Sequence, residues 1–367
     1  MRAHSDELLG VLKNGFSRRL IADVFHGTER VMQDLPLISW SLDGDLLAEV
    51  KEGGRGTVVY QSVEGESLKP RGTEGKLSPF LARMFLLMEI TAGEFSETIP
   101  LGWASITGIP YARDHYGDVN GQRVVIASVV DVVFESLDEG IKNWGFRSEE
   151  QPASLASVYD ELRRITNMPV LETVADRSIP AMITYEASPG GRLKGVQALA
   201  ELLDGRAVVN PSGALVVVPF EASVVVGELT TGPNGTITDA PYSIETKDVF
   251  NCIVGNFEDD NRNPIYSESV QTIGPLAVSN GERTKWVTKE TIKTQAAADA
   301  YTKAVRVRSV SMQQYDVIIQ CIMTPLFELG DLTKIAGDDG DIIGQAVKYS
   351  ISDSALMNIT IRAERPL

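Results

Sequence analysis

The stretch GRAVVNPSGALVVVP, residues 205–219, predicts a β-hairpin with a buried return strand. Its centre, NPSG at 210–213, is a cluster of turn-forming residues between two apolar runs. The run from Leu215 to Val218 has no polar alternation, and a strand of that kind is usually covered on both faces. We therefore expect a helix or a neighbouring subunit to cover this hairpin.

Two amphipathic helices are predicted close to the hairpin. The first covers 154–166 (SLASVYDELRRIT), and the second runs from Arg192 to Asp204, where Gly205 is expected to end it. A short strand is predicted between them at Ile183–Glu186. Helix, strand, helix and hairpin together predict a compact α/β unit whose helices cover the apolar return strand.

The segment before this unit is rich in predicted strands. RLIADVFHG at 19–27 alternates in hydrophobicity, and LARMFLLMEI at 81–90 is interpreted as a strand because its context is β-rich. The Asn-Gly step at 120–121 predicts the turn of a long strand pair. Ser136 and Glu139 have the spacing of a helix capping box, which predicts a helical turn up to Trp144.

The segment after the hairpin is also rich in predicted strands, with one helix among them. FNCIVGNF at 250–257 predicts an apolar strand, and further strands are predicted near the C-terminus. Thr294 is predicted to cap the helix. The apolar stripe of that helix is assigned to Ala297, Tyr301, Ala304 and Val305.

Length and charge limit the function classes. A chain of 367 residues exceeds one ordinary domain, so two or three domains are expected. The net charge of −16, from 50 acidic and 34 basic residues, argues against a protein that grips nucleic acid by neutralising phosphates. The same charge does not exclude a protein that lets nucleic acid pass without sticking, because like charges repel across a solvated wall. Neither a signal peptide nor a membrane span is expected from the apolar runs.

Residues that carry catalysis or bind metals are dispersed. Cys252 and Cys321 lack metal-ligand spacing and are expected to be buried thiols, with a disulfide between them as the alternative. His115 lies beside Asp114, and Ser128 falls in a predicted strand, yet no nucleophile elbow, HExxH or phosphate loop is present. His115 is interpreted as a loop residue. The sequence therefore predicts no enzyme, no metal site and no cofactor.

The tryptophans allow two interpretations. Clustered on one exposed face, they would form a platform for carbohydrate binding. Their wide separation and apolar neighbours favour core or interface positions. The residues concerned are Trp40, Trp103, Trp144 and Trp286.

Four segments together resemble a known family. They are ITYEASPGGRLKGVQALAELLDGRAVVNPSGALVVVP, VFNCIVGNFEDDNRNPIYSESV, IKTQAAADAYTKAVRVR, and LFELGDLTKIAG followed by IIGQAVKYSISDSALMNITIRAE. In this order they resemble the minor tail proteins of long-tailed bacteriophages that act as the baseplate or tail-tip hub. The resemblance covers about Ile183 to Glu364, and the N-terminal region resembles the family only in its β-rich character.

The resemblance implies an α+β, β-rich fold. Two β-barrel-like tube domains would flank an inserted α/β domain, with boundaries at 1–145, 146–225 and 226–367. In such hubs a trimer places six similar barrels in a ring that continues the tail tube. The apolar runs at 124–133 and 216–218 would then lie in cores or in sheet contacts between copies.

The resemblance also implies partners and a location. The chain would form a homotrimer in the virion tail tip after synthesis in the host cytoplasm. A distal tail or tube protein would lie above it, tip or fibre proteins below it, and the tape-measure protein is a further partner. DNA would pass through without specific binding. Alternative functions are a host-receptor or glycan-binding tail module, and the hexameric distal tail ring protein.

Two acidic loops are the candidate functional residues. A solvated loop or hairpin tip is the ordinary interpretation of each, and a calcium loop at the second lacks the distal Glu of an EF-hand. The alternative is an acidic edge at a subunit interface or facing a DNA channel. The residues are Glu258, Asp259 and Asp260 in the first loop, and Asp338, Asp339 and Asp341 in the second.

Overall fold

The computed structural model describes residues 1–62, 65–181, 183–220, 222–232, 235–239, 249–259, 262–274, 276–289, 292–311, 315–337 and 340–363. The chain divides into two compact units. The first comprises 1–179, 184–240 and 319–361, and the second comprises 180–183, 241–318 and 362–367. The fold is α+β and rich in strands, as predicted. The division into domains at 1–145, 146–225 and 226–367 stays a prediction.

The first unit begins with a short helix and six long strands. Ser5 caps the helix, because its hydroxyl accepts a hydrogen bond from the Leu8 amide. The elements are α1 (Asp6–Leu12), β1 (Ser17–His26), β2 (Glu29–Asp45), β3 (Glu52–Gln61), β4 (Ala82–Ala92), β5 (Phe95–Val119) and β6 (Gln122–Ser136). The strand predicted at 81–90 is confirmed as β4. The Asn-Gly turn is confirmed between β5 and β6, with both residues at positive φ.

These six strands close into a ring. Each strand pairs antiparallel with two others, in the order β1-β4-β5-β6-β3-β2, and β2 pairs back with β1. At the closure Leu20 of β1 lies opposite Leu37 of β2, and Leu37 in turn lies opposite Val58 of β3. A closed ring leaves none of these strands with an open edge along the paired length.

The interior of the ring is filled with side chains. Along β6 the buried positions alternate with half-exposed ones, so the strand directs every second residue inwards. The inward apolar residues of the ring with no exposed surface are Leu20, Ala22, Val24, Val58, Met84, Met88, Ile90, Ile99, Val130, Val132 and Phe134. A six-stranded ring is too narrow to hold these side chains and a channel. The ring is therefore a hydrophobic core and not a pore.

The α/β part follows β6. Its elements are α2 (Asp138–Asn143), α3 (Val158–Thr166), β7 (Val170–Leu171), α4 (Gly191–Leu202), β8 (Gly205–Val209) and β9 (Leu215–Pro219). The three strands form a sheet in the order β7-β9-β8, α3 packs on α4, and α4 packs on β8. The hairpin predicted from 205–219 is thus confirmed.

The hairpin is covered unequally on its two faces. Leu215 and Val217 are buried, whereas Val216 and Val218 are half-buried. A Cβ on Gly330 would lie 2.1 Å from Val218, so the C-terminal part of this unit approaches the second face closely. The turn itself packs on the outside of the ring, where Gly213 at φ +83° contacts Trp103. Cover on both faces was expected, and on the second face it is partial.

Several local predictions in this part were wrong. The helix predicted from 154 begins at Val158, because Ser157 is the residue whose hydroxyl caps it through the Asp160 amide. The second helix ends at Leu202, and Gly205 already belongs to β8. The predicted strand at 183–186 is a single bridge from Tyr185 to Glu150. The hydrophobic pattern of the sequence does not show the capping bond of Ser157 or the bridge of Tyr185 to Glu150.

The predicted capping box was also wrong. The helical turn is present as α2, but Leu137 is its N-cap and makes no side-chain capping bond. The Ser136 hydroxyl instead donates a hydrogen bond to Asp138, and Asp138 accepts another from the Lys51 amide. Tertiary contacts of Asp138 therefore replace the expected Ser136–Glu139 arrangement.

The remainder of the first unit is a second sheet. Its strands are β10 (Val225–Thr230), β11 (Ile237–Asp239), β15 (Tyr315–Ile322), β16 (Leu332–Gly337), β17 (Gly340–Ser352) and β18 (Leu356–Ala363). The start of β15 and the end of β18, residues 315–318 and 362–363, fall in the second unit. The strands follow the order β10-β16-β17-β18-β15-β11, with β10 parallel to β16. The second half of β17 also pairs with β2 of the ring, where Ile351 lies opposite Leu42. One continuous ladder therefore joins the ring to the second sheet.

The second unit is a three-stranded sheet with one helix. Its elements are β12 (Cys252–Glu258), β13 (Pro264–Val270), β14 (Thr284–Val287) and α5 (Gln295–Ser311), and the strand order is β13-β12-β14. Thr294 caps α5 as predicted, through the Ala297 amide. The helix packs on β12 and β13, and Phe257, Ile292 and Ala298 form the core between them.

The predicted apolar stripe of α5 was shifted by one residue. Ala297 and Ala304 are exposed, whereas Ala298 and Thr302 are fully buried. Tyr301 packs against the core as predicted. The Thr302 hydroxyl bonds within the helix to the Ala298 carbonyl and meets Ser267 of β13. A polar residue thus occupies the core face, which a search for apolar periodicity does not detect.

Hydrogen bonds from Ser267 and Gln295 lower the pKa of Asp299 on α5. A lowered folded-state pKa stabilises the fold above the ordinary aspartate pKa, and this stabilisation is lost as the pH falls through the lowered value. We expect Ser267→Ala to return the Asp299 pKa towards its ordinary value, measured by NMR titration of the carboxyl. Ser269→Ala, on the same strand but bonded to Arg306, is the control and should leave it unchanged.

Candidate assembly surfaces

The outer strand of the second sheet is an exposed apolar segment of the first unit. β10 pairs with β16 on one side, and the described residues place no strand on its other side. Three consecutive valines lead into it, and Val224, Val225 and Val226 are 68%, 42% and 41% exposed. An apolar edge strand with free backbone groups is a template for pairing with another chain. We call Val224–Thr230 the edge segment.

The edge segment borders an apolar cavity of about 300 Å3. Residues from both ends of the second sheet line this cavity. Strand β10 lines it from one end. Thr236, which precedes β11, and Ile322, the last residue of β15, line it from the other end. Leu9 and Leu12 of α1 close part of the cavity. The sheet thus curls towards itself, but in the described residues β10 and β11 do not pair.

A buried charge holds the ring against the second sheet. Arg2 is buried, and its Nη1 donates hydrogen bonds to the carbonyls of Pro325 and Phe327 at 2.7 and 2.6 Å. Its Nη2 lies 3.9 Å from Glu52 Oε1 on β3 and 3.5 Å from the Tyr349 hydroxyl on β17. Tyr349 also donates to Glu52. This cluster links three distant parts of the chain.

Burial and charge act against each other in this cluster. Desolvation raises the pKa of Glu52, and the neighbouring Arg2 opposes that rise. Desolvation and the Glu52 carboxylate raise the pKa of Tyr349 well above its ordinary value, so its hydroxyl remains a donor at neutral pH. Sequence reasoning missed this cluster, because its members are separated by up to 347 positions.

The acidic loops take ordinary structural roles where they are described. Asp259 closes the turn between β12 and β13, since its carboxylate accepts bonds from the Asn263 amide and side chain at 2.7 and 2.9 Å. Glu258 is exposed at the end of β12. Asp341 pairs at 2.8 Å with Lys334, which also contacts Glu228 on β10. Asp260, Asp338 and Asp339 lie outside the described residues.

These acidic groups do not form a metal centre in the described part of the chain, where no cluster of three or more His, Cys, Asp or Glu has suitable placement. The two loops belong to different units. Their proposed interface or channel role therefore stays a prediction.

Asp114 and Ser128 belong to a structural anchor. The Ser128 and Ser67 hydroxyls both donate to Asp114, at 2.7 and 2.8 Å, and Ser128 accepts from the Leu68 amide. This holds the loop after β3 against β5 and β6. His115 was predicted in a loop but lies in β5, where neighbouring residues point to opposite faces, so it is directed away from Asp114.

The cysteines are both free and buried. Burial raises the pKa of the Cys321 thiol to about 12 and also raises that of Cys252. Both remain protonated at neutral pH, and a protonated thiol is a poor nucleophile.

The tryptophans do not share one face. Trp40 is buried, and Trp103 packs with Phe25 and Phe85 at ring distances of 4.9 and 5.0 Å. Trp144 stacks under the Arg192 guanidinium at 3.9 Å. Trp286, in the second unit, is strongly exposed. A platform built from all the tryptophans is therefore excluded.

Comparison with known proteins identifies the fold. No family model and no curated protein sequence matches the chain. The tail protein from Neisseria meningitidis MC58 is similar in structure, with a TM-score of 0.61, 12% identity, and coverage of 94% of this chain and 96% of that chain. The chain has the fold of phage tail proteins.

Two further solved structures support this fold. The 43 kDa tail protein of prophage MuSo2 from Shewanella oneidensis has a TM-score of 0.59 at 11% identity, with 94% and 98% of the two chains covered. The prophage tail protein gp18 from Listeria monocytogenes EGD-e has a TM-score of 0.51 at 14% identity, with 94% of each chain covered. The resemblance seen in the sequence is thus confirmed at the level of the tail-protein fold.

All three of these solved structures are named as tail proteins. Among the described residues, no helix combines the length and the apolar character needed to cross a membrane.

Proposed function

We propose that the chain is a structural virion protein of a bacteriophage tail tip. Copies of it form a ring-shaped hub, which we infer to be a homotrimer, and this hub joins the tail tube to the tip proteins. The tail-protein fold supports this proposal, as does the joining of a closed strand ring to a second curled sheet within one unit. Each copy contributes one closed strand ring and one curled sheet, so three copies would place six such β-structures around an axis.

The edge segment is the observation that carries the proposal. Natural proteins protect edge strands with charges, prolines, bulges or covering elements. The edge segment carries one charged residue, Glu228, but its first three residues, Val224, Val225 and Val226, are apolar and exposed. A monomer with this edge would be prone to aggregate. Pairing with a neighbouring copy would satisfy the backbone groups and bury the valines, so the segment suits a subunit contact in a ring.

The filled interior of the strand ring leaves no path for DNA through a single copy. Because the side chains inside the ring leave no channel, the DNA conduit would be enclosed between copies. The net charge of −16 would keep DNA from binding to the wall. We propose that acidic residues of the two loops face this conduit or a subunit contact, namely Glu258, Asp259, Asp260, Asp338, Asp339 and Asp341.

The partners follow from this position in the virion. We propose contacts with a distal tail or tube protein above the hub and with tip or fibre proteins below it. The tape-measure protein would end at the same hub. The chain would be made in the host cytoplasm and act in the virion.

Replacing Val225 with lysine should abolish assembly of the chain into rings. A lysine on the edge places charge in the subunit contact and is a known device against edge-to-edge pairing. We expect the wild-type chain at high concentration to sediment as a closed oligomer and the variant to sediment as a monomer, by analytical ultracentrifugation and electron microscopy.

Val119→Lys is the matched control, because Val119 is also an exposed valine but lies at the tip of the β5–β6 hairpin. It should leave the oligomer intact. A wild-type chain that stays monomeric at high concentration, together with virion images without density for it in the tail tip, would refute the proposal.

A further inference from the structure

Helix α5 covers one face of the sheet in the second unit, and among the described residues no helix or strand is packed on the other face. Ile253, Gly255 and Phe257 of β12 point towards α5, where a Cβ on Gly255 would lie 2.7 Å from Thr302. Val254 and Asn256 alternate with them and point away from the helix. Cross-strand pairing adds residues of β13 and β14 to this second face. We call this second face the open face.

Two aromatic side chains dominate the open face. Tyr266 of β13 lies opposite Asn256, and Trp286 of β14 lies opposite Val254. Their exposed fractions are 67% and 68%. Large aromatic side chains this exposed on a rigid sheet are uncommon unless they contact a partner, and Trp and Tyr are enriched at binding hot spots.

The charge of the open face selects the chemistry of the partner. By the strand register it carries the carboxylates of Glu258 and Glu268, and none of its described positions on β12, β13 and β14 is Lys or Arg. Glu268 lies opposite Val254, in the same row across the sheet as Trp286. An anionic ligand would be repelled here, and a cationic group would meet both a carboxylate and an aromatic ring.

The spacing of the aromatic residues suits an extended chain. Their strands flank β12, which puts them about 10 Å apart across the sheet, and a two-residue offset along the strands adds about 7 Å. The Cα atoms of Tyr266 and Trp286 are therefore about 12 Å apart. Residues four positions apart in an extended peptide are separated by about 13 Å.

We infer that the open face binds a basic segment of a partner protein, with one arginine or lysine stacked on Trp286 and paired with Glu268, and a second stacked on Tyr266. Arginine suits both contacts, because its planar guanidinium stacks on aromatic faces and pairs with carboxylates. The inference does not depend on the assembly of copies into a hub, since every residue in it belongs to the second unit.

Binding can be measured on the full chain labelled with 5-fluorotryptophan. The probe is a short extended peptide with two arginines four positions apart, and its control has citrulline at both positions, which keeps the shape and removes the charge. In fluorine NMR we expect the arginine peptide to shift the Trp286 signal saturably and to leave the signals of Trp40, Trp103 and Trp144 in place. The citrulline peptide should shift none of them.

Variants separate this site from general attraction to an acidic protein. Tyr266→Ala and Glu268→Gln should each weaken the binding read from the Trp286 signal by about fivefold or more, the range of one desolvated cation–π or ionic contact. Phe80→Ala and Glu94→Gln are the matched controls, since both residues are exposed and lie in the first unit. They should leave the affinity unchanged.

Three outcomes would overturn the inference. One is an unmoved Trp286 signal at saturating arginine peptide. Another is equal loss of binding in Glu94→Gln and Glu268→Gln, which would indicate unspecific charge attraction. The third is an equal response to the citrulline peptide or to chitohexaose, which would indicate that the face binds neutral ligands such as a glycan. None of these results affects the assembly test at Val225.

Discussion

Replacing Arg2 with methionine should lower the free energy of unfolding of the first unit by about 3–5 kcal/mol. The guanidinium is buried and donates to the carbonyls of Pro325 and Phe327, and it is the cation nearest Glu52 in the cluster. Methionine fills similar space but leaves these acceptors without the guanidinium donor, and it leaves the charged Glu52 with its Tyr349 hydrogen bond but no neighbouring cation. An unpaired buried charge is among the costliest defects that a single substitution can introduce.

Denaturant unfolding followed by circular dichroism measures this loss. The difference in unfolding free energy between the wild type and the variant should decrease as the pH is lowered. Glu52 has a raised pKa, and once it is protonated the missing cation no longer leaves a buried charge unpaired. Adding Glu52→Gln to the variant should restore part of the stability.

Arg19→Ala is the control for the loss of an arginine. Arg19 pairs with Glu89 at 2.8 Å, but it is largely exposed, and such pairs contribute less than about 1 kcal/mol. A loss at Arg2 no larger than the loss at Arg19 would show that the buried cluster does not hold the ring to the second sheet.

Replacing Phe134 with alanine should also destabilise the first unit by about 3–5 kcal/mol. Phe134 has no exposed surface and points into the ring, where its aromatic ring packs against Gly54. Its removal leaves a cavity that six hydrogen-bonded strands cannot close, because closure of the ring fixes their spacing. Thermal unfolding and denaturant titration should both report the loss.

Val129→Ala on the same strand is the matched control. Val129 is half-buried and points outwards, so its truncation should cost about 1 kcal/mol or less. Equal losses at the two positions would contradict the assignment of inner and outer faces along β6.

The local elements of the fold could be predicted from the sequence. Alternation in β1, the Asn-Gly turn of the β5–β6 pair and the hairpin at 205–219 are each encoded in a few consecutive residues. Errors appeared where a tertiary contact competed with the local pattern. Asp138 is held by Lys51 and Ser136, so no capping box forms, and Thr302 bonds to Ser267, so the buried side of α5 is not the apolar stripe.

The candidate sites were less predictable than the fold. The acidic loops stand out in the sequence, but Asp259 is engaged in its own turn and Asp341 is paired with Lys334. The edge segment is marked in the sequence by three consecutive valines, 224–226, but only the strand order shows that they lie at an edge. Trp286 and Tyr266 carried none, because their common face depends on both neighbours of β12.

The sequence by itself determined the strand-rich character of this protein, the places of its main turns and its acidic surface, since these depend on residue type and short-range spacing. The tertiary structure alone decided which strands pair, that the first six close on themselves around a filled core, and that Arg2 is buried between Glu52 and Tyr349. Strand pairing and charge burial are set by groups far apart in the chain. Their free energies depend on a geometry that exists only once the fold is complete.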